Sequence, residues 1–206
     1  MTEHYYTKEP SGQHDEHSLT FRLLNHELTF VTDAGVFSKH TIDYGTRTML
    51  ENFRFTDLPQ GPFLDLGAGY GPVAIALAKA FPDRQVVAAE INERAVNLIK
   101  RNAKENDVSQ QVTVVQSDCY EHVQGRFAAI LVNPPVRAGK QVVQTMLSHA
   151  PNHLETGGTL TVVLQKKQGA PSAKQLMKDV FGNVTVIAKD KGYYIMESRY
   201  HDRVDA

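Results

Sequence analysis

The sequence predicts an α/β protein with one mostly parallel β-sheet and helices on both of its faces. From about residue 61 onward, apolar runs of strand length alternate with amphipathic segments of helix length, which is the pattern of parallel strands joined by crossover helices. The last two strand-like runs are joined only by Lys191-Gly192, which is typical of a tight antiparallel hairpin. Ligands of such sheets bind beyond the carboxyl ends of the strands, so the residues that follow each strand carry the functional prediction.

The composition limits the kind of protein that this chain can be. Its 206 residues are enough for one sizeable α/β domain, and 41% hydrophobic with 22% charged residues is ordinary for a soluble globular protein. No apolar run is long enough to span a membrane, and the polar, acid-containing start resembles neither a signal peptide nor a transit peptide. A single cysteine, Cys119, excludes an internal disulfide and a cysteine-cluster metal site. We therefore expect a cytoplasmic protein without a bound metal.

Residues 1–60 are predicted to form an amino-terminal extension that packs on a catalytic domain of residues 61–206. Residues 1–17 are predicted to be a loose leader. The following stretch, "LTFRLLNHELTFVTD", is predicted to form a small β-hairpin with its turn at Asn25-His26. A short helix is predicted from about Tyr44, and a Gly-Pro pair marks the break before the sheet begins.

Strand and helix signals alternate regularly in the second part of the chain. Pro72 suits the first turn of the helix that follows the first strand, and Asn92 suits the amino-terminal cap of the next helix. In chain order, the predicted elements are the strand "PFLDLG", the helix "GPVAIALAKAF", the strand "QVVAAE", a helix behind Asn92, the strands "QVTVVQ" and "FAAILV", a helix over roughly 139–154, the strand "GGTLTVVLQ", a helix over 171–181, and the closing strands "NVTVIAKD" and "YYIMESRYH". Seven strands are therefore predicted for the sheet.

A glycine-rich loop ends the first strand of this sheet. "LDLGAGYG" places Asp65, Gly67, Gly69 and Gly71 where the strand turns into a helix, and glycines there let the backbone approach a ligand closely. The spacing departs from the G-x-G-x-x-G fingerprint of dinucleotide-binding proteins because its third glycine position is a proline. The second strand ends in Glu90, whose carboxylate can accept both hydroxyls of a ribose. The departure disfavours NAD as the ligand.

This loop and the acidic strand end resemble motif I and the acidic motif of class I S-adenosylmethionine-dependent methyltransferases. The resemblance implies that the loop wraps the amino-acid part of the cofactor, that Asp65 lies near its amino group and that Glu90 holds its ribose. It also implies that Asp118, which follows the third strand, lies near the adenine amine, with Cys119 along the adenine. The cofactor-binding residues implied in this way are Asp65, Gly67, Ala68, Gly69, Gly71, Glu90, Ile91, Asp118, Cys119 and Asn133.

An abrupt corner follows the fourth strand, where "FAAILV" ends in Asn133-Pro134-Pro135. Two adjacent prolines remove two backbone donors and stiffen the chain. The triplet resembles the N-P-P form of motif IV in the same class of methyltransferases, which is found in enzymes that methylate planar NH2 groups. The resemblance implies that Asn133 and Pro134 are the catalytic residues.

The chemistry of a planar NH2 group explains why such a corner is useful. An exocyclic amine of guanine or adenine, or a carboxamide nitrogen, shares its lone pair with a π system and is a poor nucleophile. The side-chain oxygen of Asn133 and the carbonyl of Pro134 can each accept one N–H of the target, which orients the nitrogen for in-line methyl transfer. The prolines are expected to hold this carbonyl without adding a competing donor. A rigid turn without catalytic function is the alternative interpretation.

The stretch ahead of the glycine loop carries a second resemblance. "TFVTDAGVFSKHTIDYGTRTML", "DLGAGYGPVAIALA" and "NPPVRAGK" are similar to the methyltransferase small domain family, and the similarity covers about residues 18–200. The best-known members are small-subunit ribosomal RNA guanine-N2 methyltransferases, and larger members carry an extra amino-terminal domain. The resemblance implies a Rossmann-like class I fold with a seven-stranded, mostly parallel sheet and an antiparallel last strand. It implies methylation of the exocyclic N2 amine of a guanine in ribosomal RNA, with free RNA or the small ribosomal subunit as partner.

Further residues near the N-P-P corner are candidates for contacts to the target. In many N-P-P enzymes an aromatic residue follows the triplet and stacks on the target base, whereas Val136 follows it here and Phe37 is the candidate substitute. Basic residues after the fourth and fifth strands can contact phosphates beside a flipped base, although a solvated loop with scattered charge is the alternative. The net charge of −1 supports no globally basic surface, but a local patch is compatible with it. The substrate-binding residues predicted are Phe37, Pro135, Val136, Arg137, Lys140 and Lys166, with Lys167, Lys39 and Arg47 extending the patch.

Several alternatives stay open at this point. A protein-glutamine N5-methyltransferase and a non-catalytic module that binds S-adenosylmethionine or RNA both share the cofactor loop, and a nicotinamide-dependent dehydrogenase is disfavoured by the proline in that loop and by N-P-P. His149 and His153 lie four residues apart but lack the H-E-x-x-H pattern, so no metal site is predicted from them. Tyr193 and Tyr194 are expected to serve sheet packing. The sequence does not distinguish a monomer from a homodimer.

Overall fold

The computed structural model describes residues 8, 13–36, 38 and 40–202. The strands are β1 (His17–Leu23), β2 (His26–Thr32), β3 (Phe63–Leu66), β4 (Val86–Glu90), β5 (Val112–Gln116), β6 (Phe127–Val132), β7 (Leu154–Gln165), β8 (Thr185–Asp190) and β9 (Tyr193–Arg199). The α-helices are α1 (Tyr44–Asn52), α2 (Pro72–Ala80), α3 (Glu93–Glu105), α4 (Lys140–Ser148) and α5 (Ala170–Phe181). Short 3-10 turns cover Val136–Ala138, Ala150–His153 and Lys166–Gln168.

Seven strands form the main sheet in the order β5-β4-β3-β6-β7-β9-β8. Its strand pairs are parallel from β5 to β7, while β9 runs antiparallel to both β7 and β8. The strand order runs outward from β3 to β5 on one side and from β6 to β7 on the other, so the topological switch point lies between β3 and β6. A switch point of this kind opens a crevice at the carboxyl ends of the strands. The predicted fold, a mostly parallel seven-stranded sheet with an antiparallel last strand, is confirmed.

Two apolar clusters cover the two faces of the sheet. One contains Phe30 and Phe63 and includes the buried sides of α1, α2 and α3, and the other contains Phe127 and the buried sides of α4 and α5. The strand β6 is buried at every position, as expected for a central parallel strand with helices on both faces. The glycine loop and the N-P-P corner therefore extend from the rigid centre of the molecule.

The amino-terminal hairpin pairs β1 with β2 in a register that differs by one residue from the predicted one. Leu23 pairs with His26, so the turn consists of Leu24 and Asn25 rather than Asn25-His26. Both turn residues have positive φ, 46° and 68°, as a two-residue turn that follows the right-handed twist of its strands requires. The sequence signal was misplaced because leucine rarely adopts this conformation.

Two asparagines of α3 attach the hairpin to the rest of the molecule. Asn102 accepts a hydrogen bond from Val31 N at 2.7 Å and donates to Val31 O at 2.9 Å. One turn later, Asn106 accepts from Thr29 N at 3.0 Å and donates to Thr29 O at 2.7 Å. Every second residue of β2 points its backbone N–H and C=O away from β1. At a sheet edge such groups need another partner, and here the two side-chain amides supply it. The extension and the sheet share one hydrophobic cluster as a result.

The remaining predicted elements differ from the structure in two places. The helix predicted over 139–154 ends at Ser148, and a short 3-10 turn follows it, because Pro151 has no N–H and its ring prevents an α-helix from continuing. The leader is not loose throughout: His14 Nδ1 lies 2.5 Å from Asp33 Oδ2, and Asp15 N donates to Asp33 Oδ1 at 2.6 Å.

Within the described ranges, no helix combines the length and the apolar composition that a membrane crossing requires. The helix α3 has 13 residues, which corresponds to about 20 Å, whereas the hydrocarbon core of a bilayer is about 30 Å thick.

Candidate active site

A cavity of about 510 Å³ opens at the carboxyl ends of β3, β4, β6 and β7. This volume lies within the range of roughly 300–1,000 Å³ that is usual for small-molecule sites. The walls come from the glycine loop, the start of α3, the N-P-P corner, the start of α1 and the first residue of β9. The residues of these walls used below are Asp43, Thr46, Asp65, Gly67, Ala68, Gly69, Tyr70, Glu90, Asn92, Asn133, Pro134, Pro135, Val136, Arg137, Gln168 and Tyr193.

The glycine loop presents bare backbone to this cavity. Gly69 has φ of 57°, and a Cβ placed on it would meet no atom within 4 Å, so the loop leaves open space where a ligand can contact the main chain. Gly71 has a different function, because it is the amino-terminal cap of α2 at φ of 97° and its added Cβ would lie 3.2 Å from Ile75 and Ile99. Gly71 therefore allows close packing beneath the loop and does not line the cavity.

Glu90 ties the glycine loop to the start of α3. Its Oε2 accepts from Gly69 N at 2.8 Å, and its Oε1 accepts from Asn92 N at 2.9 Å. Burial raises the pKa of this carboxyl, and the backbone N–H bonds oppose that shift. A carboxylate oxygen can accept more than one hydrogen bond, so Glu90 holds the loop and keeps acceptor capacity for hydroxyl groups of a ligand.

Asp65 is a second buried acid at the base of the cavity. Its Oδ2 accepts from Ala74 N at 2.9 Å, near the amino terminus of α2. Burial raises the pKa of Asp65 to about 7, the Ala74 hydrogen bond opposes the shift and the nearby charge of Glu90 adds to it. A cationic ligand group beside Asp65 would favour its ionised form. The two acids therefore suit a ligand with hydroxyl groups at one end and an ammonium at the other.

Asn133 is held by the beginning of α1. Its Nδ2 donates to Asp43 Oδ2 at 2.9 Å and to Thr46 Oγ1 at 2.9 Å. A carboxylate can only accept hydrogen bonds, so the nitrogen of the Asn133 amide must face Asp43. The Oδ1 atom is thereby left as the acceptor that this side chain offers to a ligand in the cavity.

The prolines after Asn133 form a tight turn. Val136 N donates to Pro134 O at 2.9 Å around Pro135, whose φ and ψ are −75° and 77°, the geometry of an inverse γ-turn. The prolines themselves add no competing donor, but the N–H of Val136 bonds to the Pro134 carbonyl, which the sequence did not predict. The turn fixes the direction of this carbonyl, and the oxygen has a second lone pair with which it can accept a bond from a ligand.

Tyr193 forms part of the cavity wall, in addition to the packing expected from the sequence. Its ring lies 5.7 Å from that of Tyr44 between centroids, and a Cβ on Gly45 would lie only 2.7 Å from Tyr193 Cε1. Tyr194, the next residue of β9, packs on the other face of the sheet. The two adjacent tyrosines therefore serve different functions. An alternating strand pattern places them on opposite faces of the sheet, but it does not show which face meets the cavity.

Basic residues from separate segments lie at or near the mouth of this cavity. Arg137 lines the mouth and is exposed. Lys166 N donates to Gly192 O at 2.8 Å, which places the end of β7 beside the β8–β9 turn and brings the backbone of Lys166 close to that of Lys191. The Nζ of Lys191 lies 4.5 Å from the centroid of the Tyr44 ring. Lys191 thus places a positive charge beside Tyr44, whose ring lies next to that of Tyr193.

The structure brings together most, but not all, of the residues predicted for the site. The predicted residues that line the cavity are Asp65, Gly67, Ala68, Gly69, Glu90, Asn133, Pro134, Pro135, Val136 and Arg137. Those that do not line it are Gly71, Ile91, Asp118, Cys119, Lys140 and Lys166. Cys119 is buried in the apolar cluster with α4 and α5, and Asp118 is exposed in the turn after β5. Phe37 and Lys39 lie outside the described residues.

Several residues of the cavity wall were not predicted from the sequence: Asp43, Thr46, Asn92 as a wall residue, Gln168 and Tyr193. Of these residues, Asp43 has a recognisable sequence signal, because aspartate is a preferred residue directly before the first turn of a helix. It accepts from Thr46 N at 3.1 Å in that function. Nothing in the local pattern indicates that the same carboxylate contacts Asn133.

The two histidines lie in different elements. His149 is the carboxyl-terminal cap of α4, while His153 lies in the following 3-10 turn and stacks on Tyr120 with ring centroids 4.5 Å apart. Burial lowers the pKa of His153. In the part of the chain that the structure describes, no group of three or more His, Cys, Asp or Glu side chains is arranged to hold a metal ion.

Comparisons with known proteins agree with this architecture. The methyltransferase small domain family matches residues 27–197. The Bacillus subtilis protein named "Uncharacterized protein YbxB" is 43% identical over 201 residues, which cover 97% of this chain and 99% of that protein. The "Ribosomal RNA small subunit methyltransferase C" of Aeromonas hydrophila is 36% identical over 143 residues, which cover 66% of this chain and 40% of that protein.

Among solved structures, the T. thermophilus 16S rRNA N2 G1207 methyltransferase (RsmC) in complex with AdoMet and guanosine is similar with a TM-score of 0.81 and 25% identity. The match covers 90% of this chain and 51% of that one, so this chain spans about half the length of its ribosomal RNA methyltransferase relatives. The predicted family and the predicted methyl donor, S-adenosylmethionine, are confirmed by the family match and the fold. The chain belongs to the methyltransferase small domain family and has the class I fold of S-adenosylmethionine-dependent methyltransferases.

Proposed function

We propose that this protein methylates the exocyclic N2 amine of a guanine in small-subunit ribosomal RNA. The observation that carries the proposal is the orientation of Asn133, whose nitrogen is bound to Asp43 and Thr46 and whose oxygen is left to accept from a ligand in the same cavity as the glycine loop. The T. thermophilus relative is named as a guanine-N2 methyltransferase and its structure contains guanosine, which supports guanine over other planar amines.

The residues of the glycine loop suit S-adenosylmethionine. When bound, this cofactor supplies a methyl group on a sulfonium, which is a strong leaving group, so a strong base in the protein is not required. Glu90 accepts from the ribose hydroxyls, Asp65 pairs with the ammonium of the amino-acid part, and the main chain at Gly69 lies against the ligand. The open space at Gly69 and the raised pKa of Asp65 are the observations that support this fit.

The target amine is positioned by two acceptors at the N-P-P corner. Asn133 Oδ1 and Pro134 O each accept one of its N–H groups, which orients the nitrogen and holds its lone pair toward the methyl donor. Holding two reacting groups in such a geometry can contribute about 7 kcal/mol to lowering the barrier. Oxygen acceptors aimed at the nitrogen also stabilise the positive charge that develops on it during transfer. The methylated nitrogen then releases one of its protons to water, and the sulfur leaves as a neutral thioether.

The base that carries this amine has aromatic and apolar neighbours in the cavity. Val136 takes the position where many N-P-P enzymes have an aromatic ring, and Tyr193 supplies a ring on another wall. Stacking on an aromatic side chain contributes about 1–3 kcal/mol per base. We infer that Tyr193 stacks on the flipped guanine and that Val136 fills the space beside it.

The RNA chain is bound by the basic rim, which we define as Arg47, Arg137, Lys140, Lys166, Lys167 and Lys191. The guanidinium of Arg47 lies 5.1 Å from the Tyr44 ring centroid, on the same helix that holds Asn133. Phosphates on either side of a flipped nucleotide favour such a ring of separate positive charges. The proposed division into an extension of residues 1–60 and a catalytic unit of residues 61–206 gives both parts a function, because the extension contributes Arg47 and the residues that hold Asn133.

The decisive experiment is nucleoside mass spectrometry of ribosomal RNA from cells with and without this protein. We expect one N2-methylguanosine to disappear from small-subunit RNA and to return when purified protein and S-adenosylmethionine are added. Incubation with labelled S-adenosylmethionine separates the alternatives: label in a protein extract instead of RNA would show glutamine methylation, and tight binding without any transfer would show a non-catalytic module. Either result would overturn the proposal.

A further inference from the structure

We infer that Asp43 and Thr46 are positioning residues, which determine that the oxygen of the Asn133 side chain, and not its nitrogen, faces the target amine. This inference rests on the proposed function of Asn133 as an acceptor for that amine. It assigns to the amino-terminal extension a direct effect on the reaction, beyond packing against the sheet.

The contacts form a closed set around one carboxylate oxygen. Asp43 Oδ2 accepts from Asn133 Nδ2 at 2.9 Å and from Thr46 N at 3.1 Å, while Thr46 Oγ1 accepts from the same Asn133 Nδ2 at 2.9 Å. Thr46 is buried, and Asp43 lines the cavity. Both protons of the Asn133 amide therefore have a fixed acceptor, one of them charged.

The need for such a device follows from the shape of a carboxamide. Its two ends have nearly the same size, but one donates and the other accepts hydrogen bonds. A rotated Asn133 amide would present N–H groups to the N–H groups of the substrate and would leave its oxygen against the Asp43 carboxylate. Because Asp43 can only accept, the rotated state is unfavourable before any substrate binds, and the acceptor is preorganised.

Gly45 explains how these groups come so close together. A Cβ at this position would lie 2.9 Å from Asp43 Oδ2 and 2.7 Å from Tyr193 Cε1, distances that real Cβ atoms do not adopt. The absence of a side chain at position 45 therefore lets the carboxylate and the tyrosine ring lie against the first turn of α1. Gly45→Ala is expected to displace both of them.

The test uses two variants, Asp43→Ala and Thr46→Val, with Thr48→Val as the matched control. Alanine at position 43 removes the acceptor of the Asn133 N–H, which an asparagine would keep as an amide oxygen, and valine keeps the shape of threonine. Thr48 lies on the same helix and donates to Tyr44 O at 2.9 Å, so its variant removes a hydroxyl that does not contact Asn133. We expect kcat to fall about 10- to 100-fold in both test variants, with the Kd for S-adenosylmethionine unchanged and with the control at the wild-type rate.

Exchanging the two polar groups gives a sharper result. Asn133→Asp alone places two carboxylates within hydrogen-bond distance and should be nearly inactive. The double variant D43N/N133D restores a donor opposite an acceptor when the introduced amide turns its nitrogen toward the carboxylate at position 133, whose second oxygen still accepts. This arrangement gives up the hydrogen bond from Thr46 N, because its acceptor is the same atom of residue 43. We expect the double variant to be more active than N133D alone. Equal or lower activity of the double variant would contradict the inference.

A readout that does not need turnover separates this inference from the proposed function. The side-chain NH2 resonances of Asn133, assigned by their loss in N133A, should be protected from solvent exchange in the wild type and in T48V and should lose protection in D43A and T46V. If D43A does not fold, T46V carries the comparison. Unchanged protection and kcat in the variants would overturn the inference, whereas a wild-type protein that methylates no guanine but shows the expected protection would overturn only the proposed function.

Discussion

Asn133 combines two functions that only a carboxamide can hold at the same position. Its nitrogen is bound to the extension, and its oxygen is available in the cavity. An aspartate would lose the donor that binds Asp43, and a leucine would lose the acceptor. The N-P-P corner thus requires its first residue for chemical reasons that are separate from the rigid turn which the prolines form.

Substituting Asn133 by alanine should separate transfer from cofactor binding. We expect kcat to fall by more than about 100-fold, since loss of one preorganised hydrogen-bonding group typically costs this much. The Kd for S-adenosylmethionine, measured by calorimetry, should remain close to that of the wild type, because the loop contacts around Glu90 are unaffected. Equal loss of binding and turnover would show that Asn133 acts mainly on the cofactor.

Asp65 should make the stability of the cofactor-free protein depend on pH. Its pKa is raised from 3.8 to about 7 in the folded protein, so the stability that it contributes is fully present below about pH 4 and is lost as the pH rises through about 7. Asp65→Asn keeps an acceptor for Ala74 N and removes the charge. We expect D65N to match the wild type at about pH 4 and to be more stable by up to about 4 kcal/mol at about pH 8.

Urea denaturation at a series of pH values measures this difference. The gap between D65N and the wild type should open between about pH 4 and pH 8. A constant gap over that range would mean that Asp65 is ionised in the folded protein throughout. The same variant should bind S-adenosylmethionine more weakly than the wild type at the upper end of the range, because it cannot pair with an ammonium.

The helix α3 links three parts of the molecule through Asn102. This residue is fully buried and bonds to Val31 on β2 and, through Nδ2, to Tyr70 O in the glycine loop at 2.9 Å. A helix that is otherwise packed by its apolar face therefore also sets the position of the cofactor loop relative to the hairpin. Hydrophobic periodicity predicts such a helix, but it does not predict what a buried polar side chain on it will bond to.

Asn102→Ala should destabilise the protein by about 2–4 kcal/mol, because it leaves buried backbone groups of Val31 and Tyr70 without partners. Asn97→Ala on the same helix is the control, since Asn97 is exposed, and its effect should be within about 0.5 kcal/mol. Urea denaturation with comparison of m-values measures both changes. A cost for N102A as small as that of the control would mean that water replaces the lost amide.

The predicted elements agree with the structure where the signal is local. The strands of the sheet and the helices behind Gly71 and Asn92 are those predicted, because apolar periodicity and helix caps act within a few residues. The errors lie at the hairpin turn and in the helix predicted over 139–154. There a leucine with positive φ and a proline after the last turn decide the boundary, and single residues of this kind are weak signals in a periodic pattern.

The whole molecule corresponds to about half of its ribosomal RNA methyltransferase relatives. Its net charge of −1 gives no general attraction to RNA, so the RNA binding that we propose depends on where the charges lie. The basic rim collects positive charge from α1, the turn after β6, the end of β7 and the turn between β8 and β9. We propose that this arrangement binds phosphates near the cavity without a basic surface over the whole molecule.

Reversing two charges of the rim should weaken RNA binding without affecting cofactor binding. For the double variant Lys166→Glu/Lys191→Glu we expect a higher KM for RNA. The slope of the logarithm of the RNA association constant against the logarithm of the salt concentration should be smaller in magnitude by roughly 0.7–0.9 for each phosphate that the variant no longer binds. Lys100→Glu/Lys104→Glu on α3 is the control, because it makes the same change in net charge at exposed residues outside the basic rim. An equal effect of the control would mean that only the total charge matters.

The amino-acid sequence alone predicts the class of the sheet, the glycine loop, the acid at the end of β4 and the N-P-P corner, because each of these depends on residues that are neighbours in the chain. What holds Asn133, and which tyrosine enters the cavity, follow only from the folded molecule. Asp43 and Thr46 lie 90 and 87 residues away from Asn133 in the chain, and they meet it because α1 packs across the strand ends. Contacts of this length arise from the packing of whole elements, and no local pattern encodes them.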